Sequence, residues 1–222
     1  MLTITGVFLF TCVDVFIKLL SPSFQVGQVL IVFGLGTAFI FWAMALLSGQ
    51  SVFDRQYLHK ATLFRCISET IGGLALVFAL SNSALSVVTA IMQTSPLVLT
   101  IMAVVFLKER IGPPRIIAIF VGFIGVLIII RPTLEGVDIF AVSALIGVIG
   151  LAGRDFSARI LPNDISVIGL SFFGSLSVAL AGVLLMVFSE GWVLPNIMQM
   201  MYCVGTVSYT HLQAHETRIH LV

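Results

Sequence analysis

The sequence predicts an all-α fold: a polytopic membrane helix bundle with about seven transmembrane helices, the start of an eighth, and an incomplete inverted repeat of five-helix units. Three observations carry that expectation. The 222 residues are 59% hydrophobic and only 9% charged, with a mean hydropathy of +1.16, whereas roughly a quarter of the residues in a soluble domain are charged. The apolar residues gather in runs that match a hydrocarbon core about 30 Å thick, which needs about 20 helical residues. An ionic motif near the end of the first run returns 141 positions later near the end of the sixth.

The seven runs are Leu2–Leu20, Val26–Leu47, Leu63–Ser81, Leu85–Leu107, Ile116–Ile130, Ile139–Leu161 and Ile165–Phe188. An eighth begins near Pro195. Their connections are short and rich in turn residues, as in SPSF at 21–24, KERIGPPR at 108–115 and LPND at 161–164. The first run is not expected to be a cleaved leader: MLTITGVFLF lacks a basic start, and no small-residue cleavage site precedes Asp14 and Lys18. Because it begins almost at Met1, whether residues precede it is left open.

Lys and Arg are unevenly shared between the two sides. Arg55, Lys60, Arg65, Lys108, Arg110, Arg115, Arg154 and Arg159 fall on one side and only Lys18 and Arg131 on the other. The positive-inside rule then places the N-terminus in the cytoplasm. Net charge is +1 without a basic patch, so a nucleic-acid partner is not expected. Cys12, Cys66 and Cys203 are isolated, which suggests neither disulfides nor a CxxC metal or redox motif.

The first run ends Asp14-Val-Phe-Ile-Lys18-Leu-Leu20-Ser-Pro22 and the sixth ends Asp155-Phe-Ser-Ala-Arg159-Ile-Leu161-Pro162. Both read D-x-x-x-[K/R]-x-L followed by Pro. Spans an odd number of crossings apart enter from opposite faces, which is the mark of an inverted-topology repeat. The expected organisation is a first repeat over 1–134, an incomplete second repeat over 135–205, and a tail at 206–222. A repeat of about 140 residues implies about 280 for the pair, so about 80 further residues are expected.

The tail VSYTHLQAHETRIHLV contains His211, His215 and His220, spaced as a helical zinc site would be. Neither a second shell nor a structured helix supports that chemistry, and an apolar span would not turn polar inside lipid. VSYTHLQAHET resembles the conceptual translation of a transposase mosaic-end sequencing adapter, with Gln213 where Arg is usual, and the final HLV resembles the constant stretch after its index. The tail is therefore expected to be non-native. No metal site and no cofactor is expected.

An unpaired charge at the centre of a membrane helix costs roughly 2.5 to 3.5 kcal/mol on insertion scales, so such groups face a partner or water. Asp14 and Lys18 lie one turn apart and can form an ion pair; Asp14 is equally a candidate solute contact or proton carrier. Glu69 stands four residues after Arg65, as an interfacial ion pair or a proton-cycling carboxylate. Asp155 matches Asp14 by the repeat, with Arg159 as its plainest partner. Pro96 removes a backbone hydrogen bond within the fourth run, beside Gln93, Thr94 and Ser95. That stretch reads either as a kink lining a solute cavity or as a packing kink whose hydroxyls bond back to their own helix.

The run TSPLVLTIMAVVFLKERIGPPRIIAIFVGFIGVLIIIRP at 94–132 carries Pro96, LKER at 107–110, GFIGV at 122–126 and IIIRP at its end. With D-x-x-x-K in the first run, it resembles the drug/metabolite transporter superfamily, EamA type. The resemblance implies ten helices in two inverted five-helix repeats and solute movement by alternating access.

The resulting expectation is a secondary transporter of a small organic solute in a bacterial cytoplasmic membrane. The partners are the lipid bilayer and the solute, with proton coupling and a homodimer left open. A membrane scaffold without transport is the alternative. An enzyme is not expected, since His59 alone remains outside the tail, and GxxxxGK[ST] is absent, which points to gradient-driven rather than ATP-driven movement.

Overall fold

The computed structural model describes residues 2–53, 57, 59–130, 138–160, 165–189 and 191–205. Its regular elements are α-helices: α1 (Leu2–Leu20), α2 (Val26–Leu47), α3 (Lys60–Asn82), α4 (Leu85–Met92), α5 (Ser95–Leu107), α6 (Pro113–Ile130), α7 (Ile139–Arg159) and α8 (Val167–Val187). A short α9 follows at 197–205, just after Pro195. All seven expected runs are helical, and local capping moves their ends. α3 starts three residues before the expected Leu63 because the His59 ring accepts a bond from the Ala61 N–H at 3.2 Å. Asp138 and Ser166 cap α7 and α8 through Phe140 N and Ile168 N.

Among the described residues five segments are long and apolar enough to cross a bilayer: 26–47, 60–82, 85–107, 139–159 and 167–187. A shorter apolar stretch covers Pro113–Ile128. The expected loop at 131–137, the turn at 161–164 and the tail at 206–222, with its three histidines, lie outside the described residues.

The chain forms two compact units, Met1–Tyr57 with Ile165–Val222, and Leu58–Asp164. In the first, α2 packs against α8. Gly27 opposes Gly182, and Gly34 opposes Ser175 and Ala179, so one helix advances as the other retreats and the pair is antiparallel. A Cβ on Gly34 would lie 2.6 Å from the Ala179 nitrogen, so backbone meets backbone there. Lipid offers no hydrophobic drive for helices to associate, and such close approach supplies dispersion contacts instead. Ala38, Ala45, Val52 and Phe172 form a buried cluster beside this contact.

In the second unit α7 is the hub, packing against α3, α4 and α5. The α3–α7 contact is also antiparallel and glycine-lined: Gly72 meets Gly150, and Gly147 meets Leu76. Ser143 Oγ donates to the Ala75 carbonyl at 2.7 Å, and Phe156 packs against both Phe64 and Phe106. Large apolar side chains such as Ile101, Val105, Phe120 and Ile124 are exposed on this unit, the composition of a lipid-facing surface.

Candidate functional site

The second unit gathers four charged side chains at the Arg65–Glu69 and Arg154–Asp155 positions. On α3, Arg65 Nε stands 3.3 Å from Glu69 Oε2, and the two side chains are 9% and 14% exposed. That distance is an ionic contact rather than an aligned hydrogen bond. On α7, Arg154 Nε donates to Asp155 Oδ1 at 2.9 Å. The two helices are joined by Arg65 Nη1, which donates to the Arg154 carbonyl at 3.4 Å, an oxygen that also accepts from Ser157 Oγ. Each of the two arginines lies within electrostatic reach of both acids. One turn before Arg65, Thr62 is buried, and its hydroxyl has no hydrogen-bond partner among the described residues.

The spacing of Arg65 and Glu69 foretold their contact, whereas Asp155 pairs with its neighbour Arg154 and not with Arg159. Arg159 is exposed at the last position of α7, where water and headgroups hold a guanidinium better than a carboxylate inside the helix pair can. Arg65 and Arg154 are the organising residues; sequence reasoning took Arg65 only as the partner of Glu69 and Arg154 only as one of the basic residues that set orientation. Thr62 was not singled out at all; its signal is a hydroxyl seven residues before Glu69 on the same helical face.

The break expected at Pro96 is present as a true interruption. α4 stops at Met92, α5 starts at Ser95, and Pro96 occupies the first turn of the new helix, where its missing N–H would have had no partner in any case. Thr94 Oγ1 donates to the Ile91 carbonyl at 2.6 Å and Thr100 Oγ1 to the Pro96 carbonyl at 2.8 Å. Gln93 and Pro96 are exposed, and Thr94 and Ser95 are half-buried. The hydroxyls thus bond back to their own helices, while Gln93 presents its amide outward from the break.

In the first unit Asp14 is 3% exposed. Among the described residues the ion pair expected with Lys18 is not formed. Lys18, half-buried, is one turn nearer the end of α1. Two residues after Asp14, Phe16 packs against Tyr202 of α9 with ring centroids 5.9 Å apart. The structure therefore brings Glu69 and Asp155 together through two arginines and buries Asp14 on α1.

The profile of the EamA-like transporter family matches residues 1–131. The chain is also 31% identical, over 85 residues, to a riboflavin transporter of Brucella anthropi. That match covers 38% of this chain and 30% of the relative, so the chain spans under a third of the length of the curated protein it matches.

Proposed function

The chain belongs to the EamA-like transporter family, and from that premise we propose that it carries a small organic solute across a bacterial cytoplasmic membrane by alternating access. The observation that carries the proposal is the ionic cluster of Arg65, Glu69, Arg154 and Asp155 inside helices long and apolar enough to span a bilayer. Charged groups within membrane-spanning helices are expensive, and a recurrent use of them is to mark a solute or ion path. Thr62 adds a buried hydroxyl with bonding capacity to spare among the described residues. The Gln93–Pro96 break, in the same unit, adds an outward amide at a helix interruption. Asp14 is the candidate for coupling: a buried carboxyl without an ion partner among the described residues gains or loses a charge only as its hydration changes.

Antiparallel duplication supports the alternating-access part of this reading. α8 begins 141 positions after α2, at the offset that relates Asp155 to Asp14, and the two helices are 21 and 22 residues long. The α9–α1 contact of Tyr202 with Phe16 has a counterpart in the α3–α7 contact of Phe64 with Phe156. On this reading 1–134 and 135–205 belong to oppositely oriented repeats, and the distribution of Lys and Arg supports a cytoplasmic N-terminus.

The test is solute flux in proteoliposomes, with riboflavin as the first solute because the matched relative bears that name. Glu69→Gln and Asp14→Asn are each expected to lower the initial rate by about ten-fold or more while leaving the protein folded, the size of effect that loss of a bound charge produces. Unchanged flux in both variants would remove these residues from the path. If no gradient of any solute is dissipated, the scaffold reading replaces this one, a reading favoured by the closure of each arginine on its own acid.

A further inference from the structure

Gln28 lies in the first turn of α2 and is fully buried. Its amide meets the backbone of a residue 165 positions away: Nε2 donates to the Val193 carbonyl at 2.6 Å, and the Val193 N–H donates to Oε1 at 3.3 Å. One side chain thus satisfies both polar groups of a peptide residue in the irregular stretch 191–196 that leads into α9. α9 then lays Tyr202 on Phe16 of α1, and Gly205 lies so close to the same ring that a Cβ there would approach Cε2 to 2.9 Å.

The other end of the α2–α8 pair also has a polar tie, but a different one. Ser166 Oγ donates to Gln50 Oε1 at 2.6 Å in an exposed position. Water can replace that bond when it opens, whereas parting Gln28 from the exposed Val193 leaves the fully buried Gln28 amide without partners until water reaches it. Along the pair itself Gly27, Gly34 and Gly182 bring backbone against backbone. A polar tie therefore closes each end of the pair, buried on the Gln28 side at one end and exposed at the other.

We infer that the Gln28–Val193 amide pair is a gate latch: closed, it holds α9 on α1; released, it lets α9 swing away and uncovers the α1 face that carries Phe16 and, one turn earlier, Cys12. Its purpose rests on the transport reading, but the latch itself can be tested without any solute. Cys203 on α9 and Cys12 on α1 are free and half-buried, so they report opening, and Cys66 on α3 serves as an internal reference.

The experiment measures the rate of N-ethylmaleimide labelling at each cysteine in the whole chain reconstituted in lipid vesicles. Gln28→Leu is expected to speed Cys203 and Cys12 by about five-fold or more with Cys66 unchanged, while Gln50→Leu alters them by less than about two-fold, as exposed bonds do. Gln28→Asn remains polar but is one methylene too short to reach both groups; about a two-fold rise is expected, and it serves if the Leu variant does not insert. Native rates in the Gln28 variants that fold would overturn the latch, as would an equal rise at Cys66, which reports general loosening. Faster labelling with no solute flux keeps the latch and removes the transport reading; flux with native labelling does the reverse.

Discussion

Helices α2 and α8 meet over Gly27, Gly34 and Gly182, and helices α3 and α7 over Gly72, Gly147 and Gly150. Both pairs are antiparallel and bring backbones into direct contact. They differ in what is placed beside that contact. The α2–α8 pair carries no ion pair among the described residues and is tied at its ends by the Gln28 and Ser166 bonds. The α3–α7 pair holds two arginines and two acids within its length. Glycine packing makes adhesion in lipid independent of side-chain chemistry. One pair is thereby free to carry charge, and the other to carry a releasable tie.

The comparison breaks most severely where the close approach itself is denied. Gly34→Val would drive a branched side chain into the Ala179 and Ser175 backbone, which cannot withdraw as a flexible side chain could. The expected cost is about 3 kcal/mol or more, at the upper end for overpacking. Fluorescence-detected size exclusion in mild detergent should show most of the folded peak lost. A native-like peak would mean that the two helices do not need this contact.

A comparable effect of electrostatic origin is expected at Arg65. Arg65→Leu leaves Glu69 buried without its cation, and breaking one side of a buried pair costs about 3 kcal/mol or somewhat more. Arg65→Leu with Glu69→Leu should recover most of the loss in melting temperature, because the pair as a whole contributes little net stability. Arg154→Leu should cost less, about 1 kcal/mol, since its acid is 42% exposed and water screens it. A double variant no better than Arg65→Leu alone would show that the guanidinium acts mainly through its bond to the Arg154 carbonyl.

Much of this was legible in the sequence, and the parts that were not have physical reasons. Span positions followed from apolar run length, and the Pro96 break from the chemistry of proline, because both are local. The Arg65–Glu69 contact followed from helical spacing. The same spacing argument failed for Asp14 with Lys18 and for Asp155 with Arg159: it shows that two groups share a face, not that pairing outcompetes water near a helix end. Gln28 was not legible at all. A single amide in an apolar run gives no sign of a backbone partner 165 positions away.

The smallest expected effect lies on α6, whose two glycines sharpen what close packing means. A Cβ at Gly122 would come within 2.1 Å of Leu97 Cδ1, the far end of a flexible side chain, whereas at Gly125 nothing lies within 4 Å. Neither glycine touches backbone, unlike Gly34 or Gly150. Gly125→Ala should therefore be neutral or raise the melting temperature slightly, since alanine favours the helix by about 0.5–1 kcal/mol over glycine. At Gly122 the same gain is offset by the rotamer change forced on Leu97, also about 0.5–1.5 kcal/mol, so Gly122→Ala should melt at or just below the native temperature. Should Gly125→Ala destabilise the chain as Gly34→Val does, this face of α6 would be covered by another helix rather than by lipid, and glycine packing would extend beyond the two pairs.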